Sequence, residues 1–163
     1  MTFVTATSRA NGREAERQFH AWLLESKLAL MMVDQTPLTM PTHMRGTVKR
    51  PDFLVGILSI GAVAVDVKAR TLHDGTILID PDEHAAFTAF EAYFGMPVWY
   101  ACYLSQDYGR CLLFRNADIR PEDIFEFKGQ TLYGFPAKYA TETHPEEETF
   151  DIALMRASRE RLK

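Results

Sequence analysis

The chain has 163 residues, of which 47% are apolar, and its formal net charge at pH 7 is −4. This length and apolar content suit one hydrophobic core, so we expect residues 1–163 to form a single domain. No apolar stretch approaches the ~20 residues that span a bilayer, and the N-terminus lacks the layout of a secretory signal. We therefore expect a cytoplasmic protein that makes no use of a membrane.

The first predicted element is a helix over residues 10–32. Its buried face is predicted from apolar residues that recur at near-helical spacing, namely Ala15, Phe19, Trp22, Leu23 and Leu30. Glu16 borders this apolar face, whereas Glu14 falls on a different, polar face of the helix. Glu16 is therefore the acid of this helix that we expect to be functional.

Residues 35–49 are rich in Thr, Pro, Met and Gly and show no apolar periodicity, so they are predicted to form a loop. Arg45, Lys49 and Arg50 lie in or directly after it, in a stretch without acids. A negative total charge argues against binding DNA by bulk electrostatics, but an enzyme needs only a local basic track. We predict that these three side chains contact a phosphate backbone; the alternative is an inert surface loop.

Two strand-like runs follow over residues 51–58 and 61–70, and their short connection predicts an antiparallel pair. Alternate residues of a strand share a face, so Asp66 and Lys68 are expected to project together. Asp52 follows a proline at the start of the first run. Acids gathered at one place repel one another, and a divalent cation relieves that repulsion. The alternative is an ion pair at the polar edge of a sheet.

The acid-x-Lys pattern is weak evidence by itself, because roughly one such triplet is expected by chance in a chain of this size. It occurs three times, at residues 25–27, 66–68 and 126–128. The first triplet lies in the predicted helix, where residues two apart diverge, and no Pro-Asp strand precedes the third. Only residues 66–68 combine an apolar strand with an upstream acid on a second strand.

A short strand over residues 76–79 precedes a second predicted helix, which ends at Gly95. Asp80 is the predicted N-cap, with proline at the first helical position and Glu83 reaching back to the cap. His84, in the first turn, is a candidate for contact with phosphate. The alternative is a half-exposed histidine without a function.

Two further strands are predicted over residues 97–104 and 110–115. Each contains one cysteine, and the spacing of Cys102 and Cys111 matches no zinc site. A hairpin of these strands could bring the two close together, but the expected cytosolic location favours free thiols. Beyond residue 120 the patterns predict a short helix over 121–125, an irregular stretch to 143 and a helix over 150–162. The whole order of elements predicts an α/β fold, in which a mixed central sheet is flanked by helices.

Three segments together resemble a known family. They are a Gly-x-x-Ala-Glu-Arg motif that contains Glu16, the Pro-Asp pair that ends at Asp52, and the triplet from Asp66 to Lys68. The sequence resembles the PD-(D/E)xK nuclease superfamily and, within it, the archaeal-type Holliday junction resolvases, over about residues 10–115. The resemblance implies a restriction-endonuclease-like αβββαβ core, in which two acid-bearing strands diverge around a metal. Residues 116–163 form a C-terminal extension outside the resemblance.

The resemblance also implies a magnesium-dependent endonuclease that leaves a 5′-phosphate and a 3′-hydroxyl. Glu16, Asp52, Asp66 and Lys68 would be its catalytic residues. Asp52, Asp66 and the backbone carbonyl of Val67 would bind Mg²⁺, with Mn²⁺ able to replace it, and Glu16 would hold a water of the ion or a second ion. Lys68 would orient the attacking water or stabilise negative charge. Branched DNA would be the substrate of a homodimer.

Three other functions stay open at this point. A restriction-type or mobile-element nuclease with the same core would read a DNA sequence through loops or through an additional protein subunit. A non-catalytic DNA-binding or assembly protein would have lost a catalytic residue, and none is missing here. An unrelated enzyme, such as a small-molecule phosphatase, is the remaining alternative.

Overall fold

The computed structural model describes residues 6–160. The helices are α1 (Ala6–Glu25), α2 (Pro81–Phe94) and α3 (Phe150–Glu160). The strands are β1 (Ala29–Met32), β2 (Phe53–Ile57), β3 (Gly61–Arg70), β4 (Thr76–Ile79), β5 (Val98–Leu104), β6 (Asp107–Arg115), β7 (Ile124–Phe127), β8 (Gln130–Pro136) and β9 (Thr141–Thr143). Within the described residues, no helix combines the length and the apolar character that a membrane span requires.

The strands form two sheets. The larger sheet has six strands in the order β1-β2-β3-β5-β6-β9, and the smaller has three in the order β4-β8-β7. Strands β3 and β5 are parallel, and β2 and β3 are antiparallel, as are the other neighbours in the large sheet. The predictions of a mixed central sheet and of an antiparallel β2–β3 pair are therefore confirmed. The connection from β3 to β5 runs through β4 and α2.

Strand β3 separates two hydrophobic cores. Its odd-numbered valines, Val63, Val65 and Val67, pack in the core beneath α1 and α3, whereas Ala64 packs in the core beneath α2. Asp66 and Lys68 share the face of Ala64, as the alternation of a strand requires. The functional candidates of β3 thus lie on the α2 side of the sheet.

The first helix ends earlier than the sequence predicts. Helix α1 stops at Glu25, and Lys27 takes a positive φ of 55°, which turns the chain back. The last residues of the predicted helix, Ala29–Met32, form the edge strand β1, antiparallel to β2. Leu30 packs against the α1-side core from this strand. The prediction that Leu30 lies on the buried face of the first helix is therefore wrong. The predicted core residues of α1, from Ala15 to Leu23, are buried.

In the C-terminal extension, the helix predicted over residues 121–125 and the irregular stretch predicted to residue 143 are both wrong, because strands β7, β8 and β9 lie in these ranges. Strands β7 and β8 form a hairpin whose two turn residues, Lys128 and Gly129, both have positive φ, as a type I′ turn requires. Strand β9 then adds a sixth strand to the large sheet. Helix α3 places Phe150 against the rings of Phe19 and Trp22, at 5.2 and 5.3 Å between centroids. The extension therefore completes the α1-side core.

The two cysteines are free and buried, as predicted. Cys102 belongs to the α2-side core and Cys111 to the α1-side core. Burial raises the pKa of Cys102 to about 12, and it raises the pKa of Cys111 well above the ordinary value. The two cysteines lie on neighbouring strands, but their side chains point to opposite faces of the sheet. This orientation does not suit a disulfide between them.

We expect Phe150→Ala to lower the free energy of unfolding by about 3–5 kcal/mol, because the change leaves a cavity in a fully packed core. Urea-induced unfolding measures this loss. Ile152→Ala on the same helix is the matched control, since Ile152 is 51% exposed, and it should change the free energy by no more than about 0.5 kcal/mol. Equal effects of the two substitutions would contradict the packing of α3.

Candidate active site

The candidate site lies where β2 and β3 part. The last backbone pair of the two strands at this end joins Phe53 to Val65, and Asp52 N still donates to Val65 O at 3.0 Å. Beyond it, the side chain of Asp52 takes the place of a strand partner, because Oδ2 accepts from Val67 N at 2.7 Å. Asp52 therefore lines a wedge between two diverging strands, as the family resemblance implies.

Asp66 follows Val65, the last residue of β3 that pairs with β2 at this end, and it is 1% exposed. Two ammonium groups contact its carboxylate: Lys68 Nζ lies 2.6 Å from Oδ2, and Lys49 Nζ lies 3.3 Å from Oδ1. Lys68 is nearly buried, whereas the side chain of Lys49 is 37% exposed at the mouth of the site. The predicted proximity of Asp66 and Lys68 is confirmed, but Lys49 also belongs to this cluster.

Glu83 is the fourth charge of the cluster. Lys49 and Lys68 both donate hydrogen bonds to its Oε1 atom. The prediction that Glu83 reaches back to the helix cap is wrong, since its carboxylate is held by the two lysines. The rest of the capping prediction is confirmed: Asp80 Oδ1 accepts from Asp82 N at 2.8 Å. Burial alone would raise the pKa of Glu83, but the charges of Lys68 and Lys49 outweigh it and lower the pKa to about 2.

The remaining acids interact electrostatically with this cluster. Burial, together with the charges of Asp66 and Glu16, raises the pKa of Asp52 to about 7, although the hydrogen bond from Val67 N opposes the shift. Burial and the charge of Asp66 also raise the pKa of Glu16, which approaches from α1. Glu14, by contrast, bonds to Arg17 and Gln18 on the helix surface. The structure thus brings Glu16, Asp52, Asp66 and Lys68 to one region.

The surrounding carboxylates favour the charged form of Lys68. Burial by itself would lower its pKa, but the charges of Asp66 and Glu83 outweigh that effect and raise the pKa above the ordinary value. Its ammonium group also lies 6.0 Å from the centre of the Tyr100 ring. A lysine held in this way stabilises negative charge well and accepts a proton poorly.

The donor atoms fit a small, hard cation. Asp66 Oδ2 is buried without a well-directed hydrogen bond, although Lys68 Nζ is close enough for a charge contact. A lone pair on this oxygen is therefore open to another partner. Within residues 6–160, no three His, Cys, Asp or Glu side chains form a ready-made metal cluster. Magnesium needs only one or two carboxylates and completes its shell with water, so Asp52, Asp66 and the Val67 carbonyl are a compatible set.

The other residues predicted to contact phosphate have partners within the protein. The guanidinium of Arg45 donates to the carbonyls of Met40 and Pro37, at 3.2 and 3.3 Å. Arg50 donates to Thr36 O at 3.1 Å. Both arginines therefore brace the loop over residues 35–49, Arg45 from within it and Arg50 from its end.

His84 belongs to a buried polar network at the start of α2. Its Nδ1 lies 3.0 Å from Oδ1 of Asn116, which is fully buried, and Tyr100 donates to the same oxygen at 3.3 Å. Asn116 Nδ2 in turn donates to the His84 carbonyl and to Thr88. The network fixes the first turn of α2, and with it the backbone that carries Glu83.

Sequence reasoning missed the role of Glu83 in the cluster and that of Asn116 in the polar network around His84. An acid in the first turn of a helix is ordinary, so its type and position gave no signal of a lysine partner. Asn116 follows a strand and gave no signal at all. The positive charge of Lys49 predicts contact with phosphate. Its contact with Asp66 depends on the path of the loop relative to the sheet, which the sequence does not reveal.

Comparison with known proteins supports the fold. No protein-family model matches the sequence, and no curated protein matches it either. Among solved structures, the chain is similar to Hjc, a Holliday junction resolvase from the hyperthermophilic archaeon Archaeoglobus fulgidus, with a TM-score of 0.54 and 17% sequence identity. The match covers 77% of this chain and 88% of that chain. The protein therefore has a restriction-endonuclease-like α/β fold with a mixed central sheet.

Proposed function

We propose that this protein is a magnesium-dependent endodeoxyribonuclease that cuts branched DNA such as a four-way junction. One observation carries the proposal: at the wedge between β2 and β3, Asp52 accepts from Val67 N, between Asp66 and Lys68, which contact each other. The charge of Glu16 also acts there, because it raises the pKa of Asp52. The similarity in fold to a resolvase supports the same proposal. Buried acids at such a density are typical of functional sites.

The chain's own residues would divide the work in the following way. Asp52, Asp66 and the Val67 carbonyl would hold Mg²⁺, or Mn²⁺ in its place. Bound there, the cation would supply charge stabilisation to a phosphodiester under attack by water. Lys68 would stabilise the negative charge that develops on the phosphoryl oxygens while the bond from phosphorus to O3′ breaks. Glu16 would orient a water molecule from the α1 side of the wedge.

The proposed substrate also implies a symmetric pair of chains. A four-way junction presents two equivalent strands, and two copies related by a two-fold axis would offer one site to each. We propose a homodimer on this ground. Light scattering at the protein concentration that supports cleavage tests it, and a chain that stays monomeric while cutting both strands in concert would exclude it.

We expect the purified chain with Mg²⁺ to cut a labelled four-way junction in preference to a flap, a linear duplex and a single strand. Denaturing gels of the four substrates measure this preference. Cleavage of every DNA at similar rates would instead indicate a general nuclease, and cleavage at one sequence in the duplex a restriction-type enzyme. The absence of cleavage with both Mg²⁺ and Mn²⁺ would contradict the proposed activity.

We expect Asp66→Asn to lower the cleavage rate by about 10³-fold or more, since loss of a metal ligand removes several kcal/mol of transition-state stabilisation. Binding of the junction, measured by gel shift without a divalent cation, should be largely retained. Lys68→Ala should also abolish cleavage but leave metal binding measurable by calorimetry.

The third acid-x-Lys triplet of the chain provides matched controls. Glu126 and Lys128 lie on the exposed β7–β8 hairpin, where Glu126 accepts from Thr131. Glu126→Gln and Lys128→Ala repeat the chemical changes in the same sequence pattern and should leave cleavage near the wild-type rate. Turnover retained by Asp66→Asn would refute its assigned role.

We expect neutralisation of Arg45 and Arg50 to weaken junction binding and to flatten its salt dependence. Each lost phosphate contact should reduce the slope of log K against log salt by about 0.9. Lys49 is left intact in this variant because it also touches Asp66. Arg159→Ala, on the exposed last turn of α3, is the control. An unchanged slope would show that the loop makes no phosphate contact.

A further inference from the structure

Glu83 and Asp66 hold the same two lysines. Each ammonium group contacts both carboxylates, so two acids and two lysines alternate in a closed ring of four charges. Within the described residues, Asp66 and Glu83 are the only carboxylates that form ion pairs with Lys49 or Lys68. The proposed metal site accounts for a buried acid at Asp66. It does not account for a second, nearly buried acid at Glu83.

A divalent cation at Asp66 would change the balance of this ring. Asp66 already contacts two ammonium groups, and a dication at the same carboxylate repels both of them. The lysines must then weaken their contact with Asp66 or leave the site. Glu83 Oε1 offers the second partner that keeps them in place, because both lysines already donate to it.

The backbone that carries Glu83 is fixed without help from the lysines. Asp80 caps the first turn of α2, and Asn116 ties the carbonyl of His84 to the end of β6. Glu83 lies between these two anchors. Its carboxylate therefore has a defined position toward which the ammonium groups can shift.

We propose that Glu83 is a positioning residue that retains Lys68 and Lys49 when Asp66 takes up a divalent cation. Asp66 then exchanges its ammonium partners for the cation while Lys68 stays beside the wedge. The inference rests on the proposed function, because that function supplies the cation. It concerns a residue that the family resemblance did not single out.

The test is calorimetric titration of the metal-free protein with MgCl₂ and with MnCl₂. Glu83→Gln leaves Asp66 as the one remaining carboxylate partner of the lysines, so the cation must displace them. We expect about tenfold weaker metal binding or more, the size of one lost charged hydrogen bond. Lys49→Met removes one competitor for Asp66 and should tighten metal binding. Asp82→Asn is the control, since Asp82 is an exposed acid in the same helical turn, and its metal affinity should match the wild type.

A double-mutant cycle separates positioning from a general effect of charge. If Glu83 holds the lysines away from the cation, Lys49→Met will tighten metal binding more in the Glu83→Gln background than in the wild type. Additive effects would mean that Glu83 acts only through its charge at a distance, and they would overturn the inference. Glu83→Asp gives an independent measurement, also if Glu83→Gln fails to fold, because it keeps the charge but shortens the reach. It should weaken metal binding as well.

The outcomes distinguish this inference from the proposed function. If the wild type binds Mg²⁺ and cuts DNA while both Glu83 variants bind the metal as the wild type does, the positioning role is overturned and the nuclease proposal stands. If the wild type binds neither Mg²⁺ nor Mn²⁺, the metal-dependent function fails and the inference fails with it.

Discussion

Asp66 is a carboxylate in the interior of the central sheet, and its charge must be balanced wherever the chain folds around it. Removal of an ion from water costs several kcal/mol, and a buried ion pair recovers that cost only with good geometry and further hydrogen bonds. Lys68 and Lys49 supply the balance, and Glu83 completes it. In other proteins, well-packed apolar side chains of similar size often stabilise a core as well as a buried ion pair does, or better. Stability alone therefore gives no reason for four charges here, and the cluster points to function.

The position of Asp66 in the sheet explains how the site opens. Strand β3 pairs with β5 over Ala64–Arg70, but it pairs with β2 only up to Val65. Beyond Val65, the edge of β3 that faces β5 stays paired, whereas the edge that faces β2 has no strand partner. Asp52 fills the gap with a side-chain oxygen on Val67 N, which satisfies one backbone donor and keeps its other oxygen available. The same divergence that breaks the ladder leaves Asp52 and Asp66 beside the unpaired edge of β3.

Much of this arrangement follows from local patterns, and the rest depends on contacts between distant residues. Alternation along β3 places Asp66 and Lys68 on one face, and the Asp80 cap with Gly95 defines α2, so both elements were predicted with correct bounds. Residues 29–32 continue the apolar spacing of α1, and only the turn at Lys27 reveals the edge strand β1. The β7–β8 hairpin was missed because its Lys128-Gly129 turn lacks the common Asn-Gly or Asp-Gly signal. Glu83 is 15 residues from Lys68 and 34 from Lys49, and no local pattern encodes contacts at such separations.

Charge links the site to the loop that covers it. If ionised, the four acids Glu16, Asp52, Asp66 and Glu83 outnumber Lys49 and Lys68 by two charges, so a phosphate would be repelled from the wedge in the absence of a cation. A bound dication would cancel that excess. Lys49 connects the wedge to solvent: its ammonium contacts Asp66, while its backbone N donates to Ala86 O at 3.4 Å and ties the loop to α2. If the wedge holds the proposed dication, an acidic chain can accept a polyanion there, because the local charge of the wedge, and not the net charge of the protein, would set its affinity for phosphate.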